Sequence, residues 1–377
     1  MTFLVLALVI AVGLCGPLLA WPDSLRIPVV IGELLAGVVV GVTGFGWVDA
    51  HDQTLTFLAD IGFAMIMFVA GSHVPIRSKA LRVQAKPALL RWLLVVVLAA
   101  VLGWLVALIF ETGHPALYAV LMASSSAAVI LPVANSLKLS GPSMLKMLPQ
   151  VAIADTACIV ALPLAIDPAN AGTAALGALA VIACSVIVFW LVRLSEKRGW
   201  RAAAHRKSQE RGFALELRIS LLILLVLAAL AQQTRVSIML AGFCLGLAVG
   251  AVGEPHRLAR QLFALSEGVF GPIYFVWLGA SLELRELARH PAMIVLGVVL
   301  GVAAIAVHAA TALTHQQPSY AIMAAAQLGV PVAAATLGQQ LGLLKPGEAA
   351  ALLLGALITI AATVLAGRRA VSSVLLT

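Results

Sequence analysis

The stretch LPQVAIADTACIVALPLA (Leu148–Ala165) is apolar and carries one ionisable side chain, Asp155. About 20 consecutive apolar residues span the hydrocarbon core of a bilayer. The whole chain shares this character, because 62% of its 377 residues are hydrophobic and only 11% are charged. In a soluble domain about a quarter of the residues are charged. The stretch therefore indicates a membrane-spanning helix within a polytopic protein.

Similar apolar stretches follow one another along the chain. They lack the strict polar–apolar alternation of a membrane barrel, and only helices or a closed barrel satisfy the backbone in lipid. We therefore predict an all-α polytopic membrane protein with thirteen transmembrane helices. The predicted spans are 3–20, 28–47, 55–73, 89–110, 116–137, 147–166, 172–192, 213–232, 236–252, 262–282, 291–313, 318–341 and 348–366.

The net charge of +8 lies in the loops. Assigning alternate loops to the two faces places 20 of the 24 Lys and Arg residues on one face. The opposite face receives Arg235, Arg285, Arg289 and Lys345. Basic residues accumulate on the cytoplasmic side of membrane proteins. We therefore expect a cell (inner) membrane protein with its N-terminus outside and its C-terminus in the cytoplasm, and no nucleic-acid partner.

The two halves of the chain contain a repeat. RIPVVIGELLAGVVVG (26–41) aligns with RVSIMLAGFCLGLAVG (235–250) at an offset of 209 residues, and two later segment pairs align at 208 and 204. Because the charges place aligned segments on opposite faces, the repeats are predicted to have inverted topology, which is typical of secondary transporters. We expect 1–166 to form the first six-helix repeat, 167–212 a linker helix and cytoplasmic loop, and 213–377 the second repeat.

Corresponding spans of the two repeats contain helix-breaking residues. The fifth span contains the triplet Ser124, Ser125 and Ser126, and the twelfth contains Gly329 and Pro331 at the same depth. A proline kink with small packing residues is the alternative interpretation. Because both repeats break together, we favour discontinuous helices that cross near the bilayer midplane, beside a binding site.

Asp155 lies near the middle of the sixth span, and its partner in the second repeat is Thr359. Ionisable groups at this depth are costly and usually functional. A carboxylate there either takes up a proton or holds a cation, and this competition is the chemistry that an exchanger needs. The alternative is a neutral Asp155 that hydrogen-bonds a neighbouring helix.

Other polar groups lie within or near the spans, and each has its own predicted role. His308 is a basic group deep in the eleventh span, and a packing role is as consistent with the sequence as a functional one. For Glu33, in the second span, a structural role is favoured over a role in transport. Asp60, His73 and Glu267 lie near span ends, where side chains are partly solvated, which indicates a role at the boundary between lipid and water.

Several other classes of protein lack support in the sequence. It contains no TVGYG filter of a potassium channel. It also contains no second deep aspartate for an intramembrane aspartyl protease, so we expect no enzyme. The four cysteines have no metal or redox spacing, and no cofactor is expected. A sodium-coupled organic-anion symporter on the same fold remains the alternative, although a mid-span carboxylate near serines favours cation exchange.

Five segments carry a family resemblance. They are RIPVVIGELLAGVVVGVTGFGWV, LADIGFAMIMFVAG, SSSAAVILPV, QVAIADTACIVALPL and FGPIYFVWLGASLELR, in this order along the chain. The chain resembles the Kef-type cation:proton antiporters, the second cation:proton antiporter family within the sodium/proton exchanger superfamily. This resemblance implies a homodimer in membrane lipid, with spans 1–3 and 8–10 as a dimerisation panel and spans 4–6 and 11–13 as a mobile core.

The resemblance also implies a set of ion- and proton-binding residues. The set is Asp155, Ser124, Ser125, Ser126, Gln327, Gly329 and His308, with Asp155 as the ligand of a monovalent cation. The family usually has a polar or acidic residue before the aspartate, where this chain has Ala154. The family's Lys or Arg of the eleventh span corresponds to His308.

The sequence therefore predicts a secondary transporter that exchanges Na⁺ or K⁺ for H⁺ by alternating access. Asp155 would bind one of the two ligands at a time, while broken-helix carbonyls and serine hydroxyls complete the oxygen shell of the cation. One carboxylate predicts electroneutral exchange. A neutral His308 leaves that stoichiometry intact, whereas a titrating one changes it.

Overall fold

The computed structural model describes residues 1–21, 29–72, 79–199, 207–208, 211, 213–234, 236–253, 256–282 and 284–374. Its helices are α1 (Phe3–Gly13), α2 (Cys15–Ala20), α3 (Val29–Val40), α4 (Gln53–Ser72), α5 (Lys79–Ile109), α6 (Pro115–Ala123), α7 (Ala127–Ser136), α8 (Pro142–Ile166), α9 (Ala171–Lys197), α10 (Leu215–Gln233), α11 (Ile238–Val252), α12 (His256–Leu265), α13 (Gly271–Ala280), α14 (Leu284–Arg289), α15 (Pro291–Ala309), α16 (Pro318–Met323), α17 (Gly329–Gln340) and α18 (Glu348–Val374). The described part of the chain contains no strand, which confirms the all-α prediction.

Within the described ranges, nine helical segments are long and apolar enough to cross a membrane, and three shorter apolar helices accompany them. This supports a multi-pass membrane protein, while the total of thirteen spans stays a prediction. The predicted span 28–47 is shorter in the structure, because the chain leaves the helix after Val40 and turns. Arg26, His73, Arg235 and most of the polar segment 196–211 lie outside the described residues.

Prolines define the first residue of several helices. Pro115, Pro142, Pro291 and Pro318 begin α6, α8, α15 and α16. Proline is favoured at this position because its missing N–H would have no intrahelical partner there. The sequence therefore marks these boundaries directly.

The predicted tenth span has an irregularity that the sequence analysis did not predict. A π-helical turn, Ser266–Phe270, joins α12 to α13. It closes with the N–H of Gly271, which donates to the carbonyl of Ser266, and Pro272 follows. Because proline has no N–H and its ring clashes with the carbonyl four residues earlier, regular α-helix is disfavoured at this point.

The described helices group into two compact units. The first comprises Met1–Cys15, Glu33–Arg77 and Gly172–Ser281, and the second comprises Gly16–Gly32, Ser78–Ala171 and Leu282–Thr377. The second unit thus holds predicted spans 4–6 and 11–13, and the first holds most of the remaining spans. The first unit also contains the seventh span, and the second also contains Gly16–Gly32, so the division into a panel and a mobile core stays a prediction.

Within the first unit, glycines allow helix backbones to touch. A Cβ built on Gly37 of α3 would lie 3.0 Å from the Cα of Gly279 in α13, and a Cβ built on Gly246 of α11 would lie 3.0 Å from the Cα of Gly71 in α4. Small residues permit such close crossings in membranes. The aligned segments pair Gly37 with Gly246 and Gly71 with Gly279, so the two crossings are equivalent under the proposed repeat.

Gly246→Ala is expected to destabilise the protein by about 1–3 kcal/mol, the usual cost of overpacking. Its new methyl group would lie 2.1 Å from the backbone oxygen of Phe68, which cannot move without shifting α4. Thermal unfolding of the purified protein measures the effect. The control is Gly172→Ala in α9, where nothing lies within 4 Å of the new Cβ, and it should leave the melting temperature unchanged or slightly higher. Equal melting temperatures for the two variants would contradict the close crossing.

Candidate functional site

Both predicted helix interruptions are present in the second unit. Helix α6 ends at Ala123, three non-helical residues follow, and α7 begins at Ala127. Helix α16 ends at Met323, and α17 begins at Gly329. The serine triplet and Gln327 therefore lie in the interruptions, and Gly329 is the first residue of the second half-helix. We call the two interruptions, 124–126 and 324–328, the crossover.

Two reciprocal hydrogen bonds join the two interruptions. The hydroxyl of Ser125 donates to the backbone oxygen of Ala324, just beyond α16. The side-chain amide of Gln327 donates to the backbone oxygen of Leu121, in the last turn of α6, at 2.7 Å. Carbonyls in the last turn of a helix lack intrahelical partners. Each interruption thus supplies a side chain that donates to the carbonyl end of the opposite broken helix, and the Leu121 carbonyl accepts in addition from Ser124.

Asp155 is buried in α8 and contacts the first interruption. Its Oδ2 accepts a hydrogen bond from the backbone N–H of Ala127, the first residue of α7, at 3.2 Å. The N-terminal end of a helix carries partial positive charge and stabilises a carboxylate. The carboxylate is therefore held beside the serine triplet, where it can accept a proton or a cation.

The second interruption has an uncharged counterpart of this contact. The backbone N–H of Gln327 donates to the hydroxyl oxygen of Thr359 in α18 at 3.2 Å. Thr359 aligns with Asp155 at the predicted repeat offset of 204 residues. The sequence therefore carried a signal for this residue, but the sequence analysis did not include Thr359 in the site. The carboxylate is thus present in one half of the crossover and replaced by a hydroxyl in the other.

The serines differ in what they contact. The Ser124 hydroxyl donates back to the carbonyl of Leu121 at 2.8 Å, within its own broken helix. The carbonyl of Ser126 accepts from the N–H groups of Val129 and Ile130 and so begins α7. Ser125 is therefore the serine that reaches the opposite interruption.

His308 lies fully buried in α15, with its ring facing the backbone carbonyls of Met122 and Ser124. Among the described residues, neither ring nitrogen has a partner in good hydrogen-bond geometry. The C-terminal end of a helix carries partial negative charge. A positive charge on this imidazole would therefore face the carbonyl end of α6.

The donor set of the site is made of oxygen atoms, namely the Asp155 carboxylate, serine hydroxyls and the carbonyls of broken helices. Oxygen ligands suit hard cations. A membrane bundle with two interrupted helices and a buried carboxylate that contacts one of them is the arrangement of a secondary transporter.

The transmembrane model of the sodium/hydrogen exchanger family matches residues 5–368, and the chain belongs to this family. Members of the family are transporters, so the expectation that the protein is not an enzyme is confirmed.

Curated relatives cover much of the chain at low identity. YjbQ of Bacillus subtilis is 23% identical over 94% of this chain, which spans 60% of the length of YjbQ. A protein of Enterococcus hirae named Na⁺/H⁺ antiporter is 25% identical over 70% of this chain and 69% of its own length. GerN of Bacillus cereus, named Na⁺/H⁺-K⁺ antiporter, is 23% identical over 74% of this chain and 73% of its own length.

The solved structure of the sodium proton antiporter MjNhaP1 from Methanocaldococcus jannaschii has a similar fold. The TM-score is 0.64 at 16% identity, and the match covers 96% of this chain and 95% of that one. These comparisons support the exchanger family, the Kef-type subfamily that the motifs resemble stays a prediction, and the organic-anion symporter alternative gains no support.

Proposed function

We propose that the protein exchanges Na⁺ for H⁺ across the membrane by alternating access, with Asp155 as the site that both ions share. The observation that carries this proposal is the hydrogen bond from Ala127 at the start of α7 to the buried Asp155 carboxylate. This bond joins a titratable group to the first residue of α7, directly after the first interruption. The family and the names of its relatives support the same ion pair.

The exchange follows from the cost of burying an unpaired charge. A bare carboxylate in hydrocarbon is strongly unfavourable, so the core moves across the membrane only when Asp155 carries H⁺ or a cation. Na⁺ binding releases the proton to one side, and proton binding on the other side releases Na⁺. Because one carboxylate carries either ion, one H⁺ exchanges for one Na⁺ and the cycle is electroneutral.

The crossover would complete the coordination of the cation. Ser124, Ser125 and Ser126 immediately precede Ala127, whose N–H donates to the carboxylate, while Gln327 lies in the opposite interruption and Gly329 directly follows it. Oppositely directed half-helix ends would offset each other's dipoles, as in other transporters with broken helices. These residues would therefore provide oxygen ligands for a partly dehydrated ion.

The inverted repeat is part of the same proposal. One pair of equivalent contacts supports it, namely the two glycine crossings of the first unit. We further propose a homodimer in the inner membrane with an outside N-terminus, on the basis of the loop charges and the family resemblance.

Proton flux into proteoliposomes tests this function. Purified protein is reconstituted with a pH-sensitive dye, a proton gradient is imposed, and Na⁺, K⁺ and Li⁺ are added in turn. We expect Na⁺ to dissipate the gradient, with the rate unchanged when the membrane potential is clamped. The K⁺ trial decides whether K⁺ is also carried, as the name of GerN states for that protein. Absence of flux with every cation would contradict the proposal.

His308→Lys is expected to retain exchange and to extend its pH profile toward lower pH. A lysine amine is a stronger base than an imidazole in the same surroundings and so keeps its proton to higher pH, and a positive charge near the crossover favours the ionised form of Asp155. The pH dependence of Na⁺-driven flux measures this shift. His315→Lys, on an exposed residue that follows a 3₁₀ turn, should leave the profile unchanged. An unchanged profile for both His308→Lys and His308→Ala would mean that His308 only packs.

A further inference from the structure

Besides Asp155 and Glu33, the described residues include a buried carboxylate in the first turn of α18. Glu348 is fully buried, and an unpaired carboxylate would be costly there. Its Oε1 accepts from the hydroxyl of Tyr118 at 2.7 Å and lies 2.8 Å from Nδ1 of His114. Its Oε2 accepts from the backbone N–H of Lys345 at 2.8 Å. Both carboxylate oxygens are thus engaged, two of the partners belonging to or immediately preceding α6.

The partners of Glu348 belong to the two helices that reach the crossover. His114 is the N-cap residue of α6 and Tyr118 lies in its middle, while Leu121 near its other end accepts from Gln327. Helix α18 begins at Glu348 and carries Thr359, which accepts the backbone N–H of Gln327.

These contacts form a closed frame. From Glu348 the connection runs through Tyr118 and α6 to Leu121, through Gln327 to Thr359, and back along α18 to Glu348. We call these five residues the crossover frame. Helices are stiff over such short lengths, and α6 has only 9 residues. A displacement at the Glu348 corner is therefore transmitted to Leu121 and Gln327.

We propose that Glu348 is a positioning residue for the ion site, which fixes α6 relative to α18 and thereby sets the geometry of the crossover. This inference rests on the proposed Na⁺/H⁺ exchange. Glu348 does not touch the transported ion. Groups that orient the ligands of a metal ion typically change its affinity by about 10–100-fold when they are lost. The same logic applies to the carbonyl and hydroxyl groups of the crossover.

The test variant is Glu348→Gln in the full chain. Glutamine keeps the shape of the side chain but has only one acceptor oxygen, so either the N–H of Lys345 or the hydroxyl of Tyr118 loses its acceptor, and the negative charge is gone. In proteoliposomes we expect the Na⁺ concentration for half-maximal rate to rise about 10-fold, with the maximal rate within about twofold of wild type. Tyr118→Phe removes one bond of the frame and should shift the same quantity in the same direction, less strongly.

Glu216→Gln is the matched control, because Glu216 also lies in the first turn of a membrane helix, α10, but in the other unit. Its half-maximal Na⁺ concentration should equal that of wild type. The inference is overturned, and the proposed function stands, if the wild type transports and Glu348→Gln and Tyr118→Phe both have its half-maximal Na⁺ concentration. If Glu348→Gln does not fold, the half-maximal Na⁺ concentration of Tyr118→Phe decides whether the inference holds. Absence of flux in the wild type would instead contradict the proposed function.

Hydrogen–deuterium exchange tests the frame without transport. The N–H groups of Ala127 and Gln327 donate to Asp155 and Thr359, so their exchange rates report how well the crossover is held. We expect both rates to rise about 10-fold in Glu348→Gln, corresponding to about 1.4 kcal/mol. A rise confined to the amide of Lys345 would show a merely local role for Glu348 and overturn the inference.

Discussion

Asp155→Asn is expected to abolish Na⁺-driven proton movement, down to the rate of protein-free liposomes, while leaving a folded protein. Asparagine has nearly the shape of aspartate, and its amide oxygen can still accept from the N–H of Ala127. It cannot take up or release a proton, and it has no charge to offset a dehydrated cation. Because a neutral amide costs less to bury than a carboxylate, thermal stability should hold or rise.

The control for this variant is Asp167→Asn at the end of the same helix. Asp167 lies at the C-cap of α8 and caps a short 3₁₀ turn, where its carboxylate accepts from the side chain of Asn170. The Asp167→Asn variant should exchange Na⁺ for H⁺ at nearly the wild-type rate. Wild-type flux in Asp155→Asn would mean that Asp155 is structural, and the carboxylate of the carrier would then have to be sought at Glu33 or Asp60.

The second large effect is expected from removing both reciprocal bonds of the crossover. Ser125→Ala and Gln327→Leu should each reduce the maximal exchange rate about 10-fold, since a hydrogen bond of this kind contributes about 1–1.5 kcal/mol and 1.36 kcal/mol is tenfold in rate. The double variant should lose more than either single variant but less than the about 100-fold of two independent losses, because each bond holds the interruption that presents the other and a single substitution already weakens both. Flux assays on the three variants, with protein amounts matched, measure this.

Ser185→Ala controls for the loss of a buried hydroxyl. Ser185 lies in α9 in the first unit, and its hydroxyl donates to the carbonyl of Val181 within the same helix at 2.9 Å. Its removal should leave the rate unchanged. If Ser125→Ala and Gln327→Leu behave like Ser185→Ala, the reciprocal bonds do not hold the site.

Much of the architecture follows from local sequence features. Apolar stretches such as Leu148–Ala165 predicted the helices, and Pro115 and Pro142 marked where two of them begin. The serine triplet predicted the first interruption, because the corresponding span of the other repeat has Gly329 and Pro331 at the same depth. The depth of Asp155 in its span identified the buried carboxylate.

The contacts that organise the site had no such signal. Ser125 and Gln327 bond to backbone carbonyls, and a carbonyl is present at every residue, so the sequence cannot show which one is the acceptor. Glu348 lies at the first position of a predicted span, where a charge is ordinarily solvated, and only the packing of α6 against it reveals its burial. The π-helical turn at Ser266 depends on Pro272 six residues later, a relation that hydropathy does not detect.

The most direct test of the central claim is proton release on Na⁺ binding. Purified protein in weakly buffered detergent solution, on the acid side of its transport profile, is titrated with Na⁺ while the pH is recorded. Competition at Asp155 predicts one proton released for each Na⁺ bound, and none released from Asp155→Asn. Na⁺ binding without proton release in the wild type, or equal release from Asp155→Asn, would contradict a carboxylate shared by the two ions.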